Sequence, residues 1–475
     1  MKSPSATVRT RQLPAPVRRE AFPADPDFPQ LEIAADPGLM LDVFRTHLKP
    51  VAGKVCHIET CAPFRFRCRQ STARCVLQYT LRVVEPGGGH AWDQWVTGLV
   101  YAQPGEAERV WRELQAADSS RDIPERWLTF EPVAFIPDLQ MVVEVFPYDR
   151  KLPNLSPVLG GALRGLETAL LARLGPGPWH GEAQTIVPTR YRTELGAALQ
   201  YTLRARAAQS AQRASLRCYL KVYRNDRGEE TYRLLRSLSQ RAADGERPYA
   251  VVGPIAYVSE LRTLALEEAP GTALQQALLQ VADPTDAARA VARAVAAFNR
   301  DDLPITRPGS LADQLADLEL ASTLVQWSCP DARAEVHAMT AAVVRGLEDV
   351  PPAPIHGDLK PDHIFLAGDR VIFIDLDSAA LADPVRDPAH LFAYITGRVG
   401  LDSLSPERAR AAAAAFVEEY FRRVPKPWRR RFALHCAGAL IEVASSFFRR
   451  QEPRWPEKMA AAIGGAQRAL SEGFR

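Results

Sequence analysis

The 475-residue chain has no apolar run approaching the roughly 20 residues that cross a bilayer. Its basic, proline-rich amino terminus also lacks the apolar stretch of a secretory signal, so the expectation is a cytoplasmic protein with no membrane partner. A dominant charge is missing as well. With 59 basic against 56 acidic residues, a formal net charge of +3, the surface offers no broad nucleic-acid footprint. Local arginine clusters at 428–431 and 449–455 read as solvated helix faces. Cys56, Cys61, Cys68 and Cys75 cluster beside His57, but gaps of five and seven residues match no usual zinc spacing. Buried thiols on strands are expected instead.

What the chain does have is ordinary globular composition, 47% hydrophobic and 24% charged, over a length that exceeds one core and fits two or three domains. Its most informative stretch runs from Ile355 to Leu391. There the apolar run Ile364, Phe365, Leu366, the turn dipeptide Gly368-Asp369 and the β-branched and aromatic run Val371 to Ile374 spell a hairpin. Asp358, His363, Asp375 and Asp377 flank it, with Asp375 following Asp358 by 17 residues. Carboxylates gathered at the ends of one short strand pair suit phosphoryl transfer, which needs hard oxygen ligands for a metal and a proton acceptor for the attacking hydroxyl.

With its HGDLKPDH, then IDLD, then DP and D, this segment resembles the catalytic loop of the aminoglycoside phosphotransferase and choline kinase group, a branch of the protein-kinase-like superfamily. The resemblance implies that Asp358 is the catalytic base, that Lys360 contacts the transferred phosphate and that Asp375 chelates Mg²⁺. It further implies that Asp387, with His356, braces the loop and that Asp377 touches a second metal. His363 stands where the group has Asn, as a metal ligand; imidazole suits Mn²⁺ or Zn²⁺ better than Mg²⁺, so Mn²⁺ is a possible cofactor.

A fold of this kind implies an upstream strand lysine, an acidic helix and a hinge. Lys221 interrupts the apolar neighbours Leu220 and Val222 as a strand lysine does. Gly228 to Thr231 then opens an amphipathic helix on which Glu230 is the chosen partner of Lys221, with Glu229 the alternative. The segment Leu264 to Gly271 reads as a buried strand ending in a Pro-Gly turn; Glu267 and Ala269 would offer the adenine their backbone. No GxGxxG precedes Lys221, where only Gly196 stands between Tyr191 and Leu199, an arrangement closer to this group than to protein kinases.

The first half of the chain also contains an internal repeat. Leu77 to Arg82 recurs unchanged as Leu199 to Arg204, a displacement of 122, and at that displacement Pro132 to Gln140 faces Pro254 to Arg262 while Leu99 faces Lys221. The expected fold class is therefore α+β: a kinase-like pair of lobes, an antiparallel-sheet amino lobe and a helical carboxyl lobe, preceded by a degenerate amino-lobe-like unit. The expected division is 1–39, a proline-rich, partly disordered lead-in; 40–155, the degenerate repeat; 156–272, the nucleotide-binding lobe; and 273–475, the helical catalytic lobe. Helices are expected at 273–281, 287–298, 311–326, 331–348, 406–422, 429–449 and 456–472. The resemblance implies ATP and Mg²⁺ as cofactors, a small-molecule hydroxyl acceptor as partner, and a monomer or homodimer. A pseudokinase scaffold without turnover is the alternative, favoured by His363.

Overall fold

Alternating and near-continuous apolar stretches in the first half of the chain give two antiparallel sheets in the computed structural model, which describes residues 22–69, 74–87, 89–116, 123–163, 165–175, 177–209, 211–243, 247–281, 283–399 and 404–473. The first sheet is built from β1 (His57–Arg69), β2 (Arg74–Val84), β3 (Ala91–Tyr101), β4 (Val133–Ile136) and β5 (Met141–Val145), in the order β1-β2-β3-β5-β4. The second uses β6 (Trp179–Arg192), β7 (Gly196–Ala207), β8 (Arg213–Tyr223), β10 (Pro254–Val258) and β11 (Thr263–Glu267), with β9 (Tyr249–Val251) pairing elsewhere. Its order, β6-β7-β8-β11-β10, is the same path.

Register repeats too. Leu99 lies opposite Val76 and Val142, and Lys221 opposite Ala198 and Leu264, each pair displaced by 122. A short 3₁₀ turn precedes the last strand in both sheets, at Pro137–Leu139 and Ser259–Leu261. Each turn ends on a left-handed residue, Gln140 or Arg262, both at φ 44°. Helix α2 (Glu106–Ala116) follows β3 as α3 (Arg227–Ala243) follows β8.

Residues 1–21 lie outside the described ones, but Leu31–Ala34 and α1 (Pro37–His47) are helical. Asp36 caps α1 by accepting from the Leu39 amide at 2.8 Å, with Pro37 in the first turn where its missing N–H costs nothing. Met40 and Phe44 are buried, and this apolar face is what orders the segment.

From Leu274 onward the chain is mainly helical: α4 (Leu274–Gln280), α5 (Thr285–Phe298), α6 (Leu311–Ser328), α7 (Arg333–Gly346), α8 (Arg386–Ala393), α9 (Pro406–Phe421), α10 (Phe432–Arg449) and α11 (Trp455–Glu472). Ser310 and Ser405 cap α6 and α9 through their hydroxyls. Helix α10 is apolar almost all round and buried, as the central helix of the lobe must be. The expected helices thus form within a few residues of their anticipated ends.

Four small strand pairings set the site into this part of the chain. The hairpin β14 (Ile364–Ala367) and β15 (Arg370–Phe373) turns at Gly368, and β9 joins β15 in parallel. β12 (Thr272–Ala273) borders β14, and β13 (Ala353–Ile355) pairs with β16 (Ala380–Ala382), which brings both flanks of the hairpin together. The first sheet lies against both lobes. Phe66 of β1 stacks on Trp327 of α6 and meets Phe448 of α10 edge-on. Toward the second sheet, Arg74 donates to both oxygens of Glu194 at 2.8 and 2.9 Å, and Arg67 donates to one at 3.0 Å.

Candidate functional site

Each flank of the hairpin contributes one side of the site. On the first flank Gly357 has φ 79°, and an added Cβ would fall 2.2 Å from the Ser378 carbonyl oxygen, so only glycine admits the close approach of the two flanks. Asp387, buried at the start of α8, accepts from the His356 and Gly357 amides at 2.7 and 3.0 Å and from Asn299 Nδ2 at 3.0 Å. Asn299 is held in turn by Tyr420, whose hydroxyl donates to Oδ1 at 3.0 Å. His356 Nε2 donates to the Ile374 carbonyl at 2.9 Å, tying one flank to the other. The loop is therefore braced by buried, satisfied polar groups, which fix geometry because leaving any of them unpaired is costly.

Asp358 accepts from Lys360 Nζ at 2.8 Å. Burial would raise its pKa, but the charges around it, the Lys360 ammonium first among them, together outweigh burial and hold the carboxyl down at about 2. His363 is buried, with Nδ1 2.9 Å from the Asp358 carbonyl oxygen. That oxygen only accepts, so Nδ1 carries the proton and Nε2 presents its lone pair toward Asp375 Oδ2 at 3.2 Å. Burial, then the Lys360 charge, lowers the His363 pKa to about 4 and keeps the ring neutral at pH 7. Asp375 itself has φ 64°, a left-handed backbone unusual for a residue with a side chain.

Two acceptor groups facing one another at this distance fit a shared cation. Asp358, His363 and Asp375 each offer an atom, all within 4.8 Å of one another, and Asp377 is not part of this set. Its carboxylate is otherwise engaged: Oδ1 accepts from Tyr223 at 2.8 Å and Thr231 at 3.1 Å, and Oδ2 from Lys221 at 3.0 Å. Asp377, expected at a second metal, thus stands outside this group with both its oxygens facing protein donors. Lys221 also donates to Asp375 at 2.5 Å. Burial opposes its charge, but Asp377 and Asp375 outweigh burial and raise its pKa.

Glu230 departs from expectation as well. It is exposed on α3, and Lys221 pairs with the two aspartates instead; the inward position of that helical turn belongs to its neighbour Thr231. At the expected hinge, the Glu267 side chain meets Arg173 while its amide donates to the Gly253 carbonyl at 2.9 Å. Ala269 lies just beyond β11 in the connection to Gly271. Tyr223 and Thr231 were not anticipated, although Tyr223 sits two residues from Lys221 and so on the same face of β8. Among the described residues no disulfide joins any of the seven cysteines and none belongs to a metal-binding group.

Residues 202–424 match the model of the phosphotransferase enzyme family, APH, and so span both Lys221 and the braced loop. An ADP-bound aminoglycoside phosphotransferase is 12% identical, covering 66% of this chain and 99% of its own, with a TM-score of 0.37. A choline/ethanolamine kinase family protein from Mesorhizobium loti is 12% identical over 57% of this chain and 85% of its own, TM-score 0.38. An ethanolamine kinase from Plasmodium vivax is 12% identical over 60% and 83%, TM-score 0.38. No curated protein matches the chain. The fold itself is α+β: two antiparallel five-stranded sheets that follow one path, then a mainly helical part that carries the hairpin. Among the described residues no helix is long and apolar enough to cross a membrane.

Proposed function

We propose that the protein transfers the γ-phosphoryl group of ATP to a hydroxyl of a small molecule. The reading rests on one convergence: Lys221 and Asp375, 154 residues apart in sequence, are in direct contact beside Asp358 and His363. In this proposal Asp358, ionised throughout the neutral range, orients the acceptor hydroxyl and takes its proton as transfer proceeds. A carboxylate with a pKa near 2 is a weak base, so positioning contributes more than proton abstraction. Asp375 and His363 Nε2 hold the divalent ion, whose charge would offset that of the phosphates when bound. An imidazole in that set tolerates Mn²⁺ beside Mg²⁺.

Lys221 is assigned to the nucleotide phosphates, and Asp377 takes over from Glu230 the task of aiming it. Lys360 keeps Asp358 ionised, and Asp387 and His356 hold the loop. The amino-lobe boundaries 40–155 and 156–272 and the catalytic lobe 273–475 belong to the same proposal. Asp358→Asn should abolish ATP-dependent phosphorylation in a screen of hydroxyl metabolites while leaving nucleotide affinity nearly intact. Full activity in that variant would overturn the reading. Asp375→Ala should instead remove metal-dependent ATP binding, and unchanged affinity by calorimetry would count against the metal assignment.

A further inference from the structure

Beside Asp358 opens a cleft of about 200 Å³ that three parts of the chain enclose. The first sheet contributes Arg65 and Gln78, which face each other across β1 and β2; the second sheet contributes Arg190 and Arg192 from the end of β6; the helical lobe contributes Arg449 and Arg450 from the end of α10. Lys360 lines it too, and Asp358 is the one acid in its wall. Lys221 and Asp375 do not line it, so the cleft meets Asp358 from another side than the nucleotide residues do. Arg449 is exposed, as a solvated helix face implies, and Arg450 is half-buried; both also border this cleft.

Clustered arginines normally pair with acids, because like charges at close quarters repel. Here Arg67 does so with Glu194, but the other five do not: among the described residues Arg65, Arg190, Arg192, Arg449 and Arg450 form no ion pair or side-chain hydrogen bond. The cost is visible at Arg65, whose pKa falls to about 9 through burial and then through Arg192, Arg190, Arg450 and Arg449. A second observation points the same way. Gln78 is 1% exposed, lines the cleft, and neither its Nε2 nor its Oε1 has a hydrogen-bond partner. A buried amide with both ends unsatisfied, inside a ring of unpaired guanidiniums, is a wall built for a polar anionic occupant.

We infer that this cleft is the acceptor subsite and that the acceptor is an anionic hydroxyl compound, one bearing phosphate or carboxylate groups, rather than a cationic aminoglycoside or amino alcohol. The inference rests on the proposed phosphotransfer reading, since it is Asp358 that makes the cleft an acceptor site. It also gives the first sheet a part in the chemistry: Arg65 and Gln78 would hold the anion while Asp358 addresses a hydroxyl on the same molecule. A polycation would meet five guanidiniums and Lys360, and this repulsion selects against it.

The test uses the full chain saturated with a non-hydrolysable ATP analogue and Mg²⁺, so that the nucleotide residues are occupied. Inorganic phosphate, glucose 6-phosphate, glucose and kanamycin are titrated at constant ionic strength, reading the unfolding midpoint and the calorimetric affinity. Phosphate and glucose 6-phosphate should raise the midpoint saturably, with glucose and kanamycin having no such effect. In the double variant Arg65→Gln/Arg450→Gln the affinity for both anions should fall at least tenfold, and the unliganded protein should unfold at a higher temperature than the parent because repulsion is relieved. Phosphate acting no better than chloride, stabilisation by kanamycin, or full anion affinity in the double variant overturns the inference. ATP-analogue binding is measured in the same samples. Its loss with the anion response retained sinks the phosphotransferase reading and leaves an anion-binding cleft, whereas the converse sinks the acceptor assignment alone.

Discussion

The two sheets follow one path with one register, yet they place charge in opposite positions. At the point where the second sheet has Lys221, between Ala198 and Leu264, the first has Leu99 between Val76 and Val142. Where the second has the apolar Leu266, the first has Glu144, buried with neither oxygen receiving a hydrogen bond among the described residues. Backbone topology fixes where a side chain stands, and the side chain decides whether the position meets a site or a core. Leu99 belongs to an apolar cluster with Val76, Val142 and Val110, whereas Lys221 reaches across to Asp375 and Asp377. The first sheet acts instead through its edges, by way of Arg67 and Arg74 on Glu194 and Phe66 on the helical lobe.

The comparison can be broken at these paired positions. Lys221→Ala should lower ATP-dependent turnover on the order of 10²–10³-fold, as removal of one preorganised electrostatic group does. A variant turning over at the parental rate would make the two sheets functionally alike. Arg74→Ala leaves Glu194 buried with fewer cations and should cost about 3 kcal/mol in urea unfolding, while also weakening ATP affinity through the Glu194 turn. Loss of stability alone would reduce the first sheet to a brace.

Leu99→Ala should cost roughly 3 kcal/mol through the cavity it leaves but keep parental ATP affinity, checked by unfolding and calorimetry on one preparation. The smallest effect is a slope with pH. Burial raises the Glu144 pKa from 4.5 to about 8, so its protonated form is favoured in the folded chain. Its contribution is complete below pH 4.5 and is lost as pH rises through about 8. Denaturation midpoints between pH 6 and 9 should therefore decline more steeply in the parent than in Glu144→Gln.

Much of this architecture is legible in local sequence patterns. The hairpin was legible because Gly368-Asp369 and its apolar flanks are neighbours in sequence, and the helices because their apolar spacing is local. Asp358, His363 and Asp375 were legible as a group because the hairpin joins them. The partners of Lys221 were not, since they depend on how a strand and a distant loop pack. Choosing Glu230 missed the inward face of α3 by a single residue, about 100° of helical rotation, which puts Thr231 toward Asp377. Arg449 is exposed as its helix face suggests, but nothing in that helix reveals that Arg65 and Arg192 line the same cleft. At the end of the proline-rich lead-in, Pro37 opens a helix whose Met40 and Phe44 are buried, a local pattern that a count of prolines does not show.

The Glu194 turn has a practical consequence for engineering. Its amide donates to Asp149 at 2.7 Å, Tyr191 donates to the same carboxylate at 2.9 Å, and Arg67 and Arg74 take its side chain. Three of those four partners precede residue 150, well outside the 202–424 stretch that carries the family match. That stretch is consequently not a portable cassette. A version that keeps the second sheet but not the first would expose Glu194 to water and release the strand end that carries Arg190 and Arg192, so domain grafts from this protein should begin ahead of the first sheet.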